Sequence, residues 1–490
     1  MFQTFDTVVL VLYILAVLGV GFWFSKRAKT SEGFMVGGRS MSGFSVGLSI
    51  LGTLLSSVSF IAYPGKAYAD NWNAYVFSIT VVVVAFVAVR VFLPFYRRLG
   101  VISAYEFLEN RFGYWGRFYG GVSFIMFSIG RTGIILYLLC LPLHHLLGWD
   151  MVTLIVVTGI LTTAYTFIGG IEAVIWTDVA QVIVLFGGAI LCVVLLITAM
   201  PEGPGQVLTV AGEHNKFSLG TFEFDFVNSS FWLVLVFGIT ENLKNFGIDQ
   251  TYVQRYVSTR SDSEAVKSVW LGALSYVPLT LIFFVIGTCL FVFYQVFPSS
   301  GLPDKADAVF PFFIVTELPD GIRGLLIAAL FAAAMSSLSS SLNSMATISL
   351  EDFVRRFSKK SLTDKQVVRY LRTFTIFFGG VGTLTGIAMI SVKQALDVWW
   401  QISGVFGGGI LGLFLLAIAT KKVRSSAAVP AVVSSIAVIS WITFSEEFTQ
   451  PQKILAGFVG TVTLLTVALL IHRLSGLIPA STKTALRRDE

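Results

Sequence analysis

Charged residues are scarce in this sequence. Asp, Glu, Lys and Arg together make up 13% of its 490 residues, whereas a soluble domain carries about 25%. Hydrophobic residues make up 55%, and a soluble protein this apolar would expose large patches and aggregate. The composition therefore excludes a soluble protein and indicates a membrane protein.

Cysteine and histidine are also scarce. The three cysteines, Cys140, Cys192 and Cys289, lie inside apolar runs, and there are only four histidines. This is neither a disulfide framework nor a metal-binding spacing. The chain also lacks a Walker lysine loop, an HExxH motif and a nucleophile elbow. We therefore predict that the protein is not an enzyme, and we expect no nucleic-acid partner because its net charge of +6 follows membrane topology.

Long apolar runs are spread evenly along the chain. A bilayer core needs roughly 20 apolar residues per helix, and a window of that length predicts about thirteen spans. They are 6–25, 44–70, 75–98, 116–146, 151–169, 175–199, 230–251, 267–294, 322–347, 370–391, 397–419, 427–444 and 453–472. The first run lacks a basic n-region, so we expect a retained span and not a cleaved signal.

Basic residues concentrate in one set of alternating loops, which hold Arg97, Arg98 and Lys359 among many others, while the opposite loops hold few. Positive charge marks the cytoplasmic side of a membrane protein. We therefore predict a multi-pass protein of the plasma (inner) membrane, with its N-terminus outside and its C-terminus cytoplasmic.

Two predicted spans are rich in small and hydroxyl residues. The second has Gly47, Gly52 and several serines up to Ser59, and Pro64 follows. The ninth has serine at six of the nine positions in 336–344, largely on one helical face. Both patterns fit ordinary helix packing. They also fit a broken helix whose free carbonyls, together with serine hydroxyls, bind Na⁺.

Four of the charged residues within predicted spans carry specific hypotheses, because an ionisable side chain inside a membrane is a functional hypothesis by default. Asp178 is either a helix-end charge favoured by the dipole or a site residue. Arg131 either pairs with a protein group for packing or forms a fork for a substrate carboxylate. Glu241 and Lys244 are three apart and could pair. Their span either ends early or is a second broken helix.

The positions of the two interrupted spans predict an inverted repeat. Spans two to six and seven to eleven would form two five-helix halves, each beginning with an interrupted helix. The predicted divisions are an extra N-terminal helix and inner loop at 1–43, a first repeat at 44–226, a second at 227–420, and two C-terminal helices with an inner tail at 421–490.

The segments Tyr165–Gln181, Asp249–Arg255 and Ala332–Asn343 resemble the sodium/solute symporter family. The resemblance implies an all-α integral membrane protein with the LeuT-type 5+5 inverted repeat, about 13 transmembrane helices and one or two coupling Na⁺ ions. The segments Pro64–Tyr68 and Ile129–Ile135, with the text around Ser56, are most similar to bacterial sialic acid symporters. That closer resemblance implies import of sialic acid (N-acetylneuraminate) by alternating access.

The resemblance also implies site residues. A first Na⁺ would bind Gly52, Leu55, Ala333, Ser336 and Ser337, and a second would bind Asp178, Ser336, Ser339 and Ser340; the substrate would contact Ser56, Ser59, Ser78, Arg131 and Asn242. Ser78 replaces a longer amide, Leu54 replaces a hydroxyl residue, and the charges at 241 and 244 are unexpected. A neutral sugar or another organic anion is therefore an alternative solute, and a membrane sensor without flux is a further alternative. We expect the protein to act as a monomer in the lipid bilayer.

Overall fold

The computed structural model describes residues 4–25, 30–392 and 395–477. Across these residues the fold is helical, with two isolated β-bridges. The main helices are α1 Thr4–Ser25, α2 Gly43–Leu54, α3 Val58–Ala69, α4 Trp72–Leu99, α5 Tyr114–Leu147, α6 Met151–Phe167, α7 Gly170–Thr198, α8 Phe231–Ile248, α9 Gln250–Ser258, α10 Asp262–Val296, α11 Ala306–Thr316, α12 Ile322–Arg355, α13 Asp364–Ser391, α14 Ala395–Ala419, α15 Ser425–Phe444 and α16 Ala456–Leu477. Short helices at Ser31–Val36, Glu106–Phe112 and Pro204–Glu213 lie between them. The N- and C-terminal ends of the predicted divisions, 1–3 and 478–490, lie outside the described residues.

Ten helices in the described part of the chain are long and apolar enough to cross a membrane, and the bent pair α2 and α3 makes an eleventh. The other two predicted spans correspond to α6, which is shorter, and α8, which carries Glu241 and Lys244. α6 continues into α7 at Gly170, whose positive φ of 59° turns the chain without a loop. The helical membrane fold is confirmed, whereas the count of about thirteen stays a prediction.

Burial separates central helices from peripheral ones. In the most apolar 18-residue stretch of α12, 94% of the residues are buried. In that of α1 only 11% are buried, and Leu12, Leu15 and Trp23 are exposed. Exposed apolar side chains of this kind suit contact with lipid tails. The serine-rich part of α12 therefore lies in the protein interior, where its hydroxyls need hydrogen-bond partners.

α2 and α3 form a broken helix. Their axes differ by 58°, and Leu55 between them has extended backbone angles. Side chains satisfy polar groups at the break: the Val58 N–H donates to Ser56 Oγ at 3.1 Å, and Ser57 Oγ donates to the Ile135 carbonyl at 3.0 Å. The predicted break is confirmed at this position.

A second interruption separates α8 from α9 at Asp249, whose backbone is extended. Asp249 caps α9, because its carboxylate accepts the Thr251 N–H at 2.8 Å. Carbonyls at the end of α8 accept hydrogen bonds from hydroxyl groups on distant elements. Tyr96 Oη, for example, donates to the Gly247 carbonyl at 2.6 Å. Each predicted half of the chain thus begins with an interrupted helix.

Candidate sodium and substrate site

A small cavity lies beside the α2–α3 break. Its lining residues come from both interrupted helices and from α4, α5, α10 and α14. They are Leu54, Ser56, Val58, Ser59, Tyr63, Phe77, Arg131, Ile135, Glu241, Asn245, Tyr252, Tyr276, Trp399 and Trp400. Three of the five predicted substrate residues, Ser56, Ser59 and Arg131, are therefore brought together around one cavity.

Arg131 is 7% exposed and lies on the cavity wall. Its Nη2 donates to the Thr53 carbonyl near the end of α2 at 2.6 Å, and its guanidinium carbon lies 5.6 Å from the centre of the Trp399 ring. Among the described residues, no carboxylate lies within ion-pair distance of Arg131, although Glu241 lines the same cavity. The remaining N–H groups of Arg131 are thus available to a ligand.

The other two predicted substrate residues, Ser78 and Asn242, are fully buried outside the cavity lining. Asn242 Nδ2 donates to Thr80 Oγ1 on α4 at 3.0 Å. Its neighbours Glu241 and Asn245, which are four residues apart and so share a helical face, line the cavity instead. Substrate contact by Ser78 and Asn242 stays a prediction.

The residues predicted for the first Na⁺ lie where the end of α2 approaches α12. Ser337 Oγ donates to the Leu55 carbonyl at 2.9 Å. A side chain at Gly52 would place a Cβ 2.8 Å from Ser336 Oγ, so the glycine permits this close approach. Ala333 lies one turn away on α12 and is buried. Neutral carbonyl and hydroxyl oxygens of this kind suit a hard cation.

Asp178, predicted for the second Na⁺, is fully buried and faces α12. Its Oδ1 accepts the Ser336 hydroxyl at 2.6 Å. Ser340 Oγ lies nearby, and Ser339 Oγ donates to the Ser336 carbonyl at 3.1 Å. The structure thus places Asp178 in the interior beside the serine face, and not at an interfacial helix end.

Arg255 is a site residue that sequence reasoning missed. Its position between the predicted spans 230–251 and 267–294 assigns it to an inner loop, but on α9 it is fully buried and its Nη2 lies 2.8 Å from Asp178 Oδ2. The same nitrogen donates to Ser340 Oγ at 2.6 Å, and Nε donates to Ser49 Oγ at 2.8 Å. The family-like segment at 249–255 was the available signal. Any cation at Asp178 must share this carboxylate with Arg255.

The comparisons with known proteins decide the family. The model of the sodium:solute symporter family matches residues 34–434. The chain belongs to this family. It is 37% identical to the sodium/sialic acid symporter SiaT of Proteus mirabilis (strain HI4320) over 86% of each chain. It is 32% identical to the sodium/sialic acid symporter NanT of Aliivibrio fischeri (strain ATCC 700601 / ES114), covering 96% of this chain and 93% of that protein.

A solved structure of a Na⁺-coupled sialic acid symporter, in a substrate-bound outward-open state, matches 97% of this chain and 98% of that chain, with a TM-score of 0.90 and 33% identity. Mhp1, a nucleobase-cation symporter, matches with a TM-score of 0.58 at 16% identity, over 91% of this chain and 95% of that chain, and so supports the fold alone. The family resemblance and the LeuT-type fold predicted from the sequence are confirmed. The protein is a multi-pass membrane transporter that uses Na⁺, and its family and structural relatives are transporters and not enzymes.

An ion-pair network joins α5, α12 and the short helix Glu106–Phe112. Arg117 Nε lies 2.7 Å from Asp352 Oδ1, and Arg117 Nη1 lies 2.9 Å from Glu109 Oε2. Asp352 also accepts the Ser103 hydroxyl at 2.8 Å. Burial raises the pKa of Glu109, but Arg117 and Arg356 more than offset this and lower it below its ordinary value. Glu109 therefore contributes stability at neutral pH that is lost only in acid, as the pH falls through the lowered pKa.

Arg117→Gln should destabilise the protein by about 3–5 kcal/mol, because it leaves the buried Asp352 carboxylate without its counter-charge. Arg356→Gln is the matched control, since its side chain is 47% exposed where it pairs with Glu109, and it should cost less than about 1 kcal/mol. Thermal unfolding of the purified variants measures both effects. Equal melting temperatures for the two variants would contradict a structural role for the buried pair.

Proposed function

We propose that this protein imports sialic acid (N-acetylneuraminate) across the plasma (inner) membrane by Na⁺-coupled alternating access. The observation that carries the proposal is Arg131, a buried guanidinium on the cavity wall with no carboxylate partner among the described residues. An arginine at membrane depth is costly unless it is paired, and a substrate carboxylate is the partner whose planar geometry matches its fork.

The rest of the cavity is suited to the body of a sugar acid. Ser56 and Ser59 present hydroxyls, and Trp399 and Trp400 present aromatic surface. A ligand site of this kind combines apolar walls with a few polar groups that fix orientation. The names of the bacterial relatives at 37% and 32% identity, which are sodium/sialic acid symporters, support the same solute.

Na⁺ coupling follows from the shared break between α2 and α3. Leu55 is proposed as a ligand of the first Na⁺, and the adjacent Ser56 lines the substrate cavity. Binding of Na⁺ orders this break, so the substrate then binds with a smaller ordering cost. By linkage, bound substrate strengthens Na⁺ binding by the same free energy. Asp178 with Ser336, Ser339 and Ser340 is proposed as a second Na⁺ site, so that one or two ions drive each cycle.

Na⁺ should raise the melting temperature of the purified protein more than K⁺ does, because a ligand that binds only the folded state stabilises it by mass action. Ser337→Ala should remove most of this Na⁺-specific rise. Ser341→Ala is the matched control, since its hydroxyl donates within α12 to the Ser337 carbonyl at 2.9 Å. Equal shifts in Na⁺ and K⁺ for the wild type would contradict Na⁺ binding.

We further propose the orientation and the divisions expected from the sequence: the N-terminus outside, the C-terminus cytoplasmic, and two inverted repeats at 44–226 and 227–420 flanked by 1–43 and 421–490. The interrupted helices α2–α3 and α8–α9, one near the start of each repeat, support this division. We also propose that the monomer is the transporting unit, because the cavity and both ion sites are built from one chain.

Another organic anion is the second candidate solute, since Arg131 would bind any carboxylate. The frog, mouse and human sodium-coupled monocarboxylate transporter 1 proteins are 28–30% identical to this chain. Calorimetric titration in Na⁺ with N-acetylneuraminate, glucose and pyruvate separates the possibilities. Binding of N-acetylneuraminate alone supports the proposal, tightest binding of pyruvate favours the second candidate, and a preference for glucose contradicts carboxylate recognition.

A further inference from the structure

A second charged residue lies on the wall of the cavity, and the proposed recognition of a carboxylate does not use it. Glu241, on α8, has a side chain that is 6% exposed, and it lines the same cavity as Arg131. Asn245, one turn further along α8, lies on the same wall. The cavity therefore presents an anionic group from α8 as well as a cationic group from α5.

Oε1 of Glu241 is occupied by protein groups. It accepts hydrogen bonds from Lys244 Nζ and from Ser403 Oγ. The Lys244 ammonium also lies 3.8 Å from the centre of the Phe127 ring, and Lys244 is not part of the cavity lining. Lys244 thus pairs with Glu241 from outside the cavity.

Oε2 of Glu241 has no hydrogen-bond donor among the described residues. Both hydrogen bonds that the carboxylate accepts from these residues go to Oε1. Oε2 is not among the fully inaccessible side-chain atoms that lack a hydrogen-bond partner. It therefore remains accessible. A carboxylate oxygen in a dry site costs free energy unless a donor meets it. Within the cavity that donor must come from water or from the solute.

The charges on the cavity wall indicate what kind of donor fits. Arg131 and Glu241 are the two charged residues among the described residues that line the cavity, and Glu241 is already paired with Lys244. A solute with a single carboxylate therefore supplies the counter-charge that Arg131 lacks. A zwitterion would bring a further positive charge into the cavity, at a cost in a low-dielectric interior. We therefore expect the donor that meets Oε2 to be a neutral hydroxyl or amide N–H.

We propose that Glu241 is a specificity-determining residue whose Oε2 accepts a hydrogen bond from a hydroxyl or amide N–H of the solute, while Arg131 holds its carboxylate. The proposal rests on the proposed function for the role of Arg131. It narrows the solute class to monoanionic acids that carry such donors away from the carboxylate. Simple monocarboxylates are disfavoured, because they offer Oε2 no donor of their own, and a site built for a hydroxyl discriminates against analogues that lack it.

Glu241→Gln tests this assignment, because the amide keeps an acceptor for Lys244 and Ser403 but presents a donor to the cavity. Calorimetric titration in Na⁺ should use N-acetylneuraminate and analogues that each lack one hydroxyl or the acetamido group. In the wild type, removing the contacting donor should weaken binding about 10- to 100-fold, roughly the 1–3 kcal/mol cost of an unpaired acceptor. Glu241→Gln should bind N-acetylneuraminate more weakly than the wild type by a similar factor. In this variant, removing the same donor from the solute should weaken binding little further. Glu447→Gln, on an exposed loop, is the matched control and should behave as the wild type.

Two results would overturn the inference. If Glu241→Gln binds N-acetylneuraminate as the wild type does, or keeps every analogue penalty, then Glu241 is only the structural partner of Lys244. If the single variant does not fold, Glu241→Gln combined with Lys244→Met removes both charges together, and the same loss of the analogue penalty is expected. A wild type that binds no carboxylated sugar would overturn the proposed function together with this inference, whereas binding with unchanged penalties overturns the inference alone.

Discussion

Arg131→Lys should fold and bind Na⁺ but lose most of its affinity for N-acetylneuraminate. Arg131 spends one N–H on the Thr53 carbonyl and retains others for a ligand, whereas a lysine ammonium is a point charge that cannot form a bidentate fork. Losing one partner of a desolvated charge pair costs on the order of 2–5 kcal/mol. Affinity should therefore fall tens-fold or more, as measured by calorimetric titration or by competition for uptake.

Arg90→Lys is a suitable control for this prediction, because Arg90 is exposed on α4 beside Phe86 and should leave substrate affinity unchanged. Na⁺-dependent thermal stabilisation should persist in both variants, which separates loss of the substrate from loss of the fold. An Arg131→Lys variant that binds N-acetylneuraminate normally would contradict the carboxylate assignment.

Asp178→Asn should destabilise the protein by about 3–5 kcal/mol, because it leaves the Arg255 guanidinium buried without a counter-charge. Neither side chain is exposed. The double variant Asp178→Asn with Arg255→Gln should recover much of that loss, since it removes both charges together. Chemical or thermal unfolding of the single and double variants measures the difference, and equal losses in the two would contradict the pairing.

The same double variant tests the second Na⁺ site. If Asp178 binds an ion, the double variant should keep the first site beside Leu55 and Ser337 but show a less steep Na⁺ dependence of uptake. Ser339→Ala should act in the same direction without disturbing the ion pair, because its hydroxyl is bonded to the Ser336 carbonyl. An unchanged slope in both variants would leave Asp178 as the structural counter-ion of Arg255.

The interruption of the second predicted span and the serine face of α12 could be predicted because their composition is unusual for a lipid-facing helix. Gly52, Ser336 and Ser337 stand out in the sequence without any knowledge of their partners. Their juxtaposition follows from the inverted-repeat resemblance, and the structure places Ser337 against the Leu55 carbonyl.

Arg255 and the Glu241 side of the cavity could not be assigned in the same way. A count of loop charges assigns Arg255 to an inner loop because it lies between two predicted spans. Such a count cannot show that Arg255, on α9, points inward and pairs with Asp178. One residue corresponds to about 100° of helix rotation. A short motif therefore cannot decide between Asn242, which faces Thr80, and Glu241, which lines the cavity.

Uptake of labelled N-acetylneuraminate into proteoliposomes containing the purified protein tests the central claim most directly. An inward Na⁺ gradient should drive accumulation above the equilibrium level, and an equal K⁺ gradient should not. Unlabelled N-acetylneuraminate should compete, whereas glucose should not. Uptake that is independent of the Na⁺ gradient, or a preference for glucose over every carboxylated sugar offered, would contradict a Na⁺-coupled sialic acid symporter.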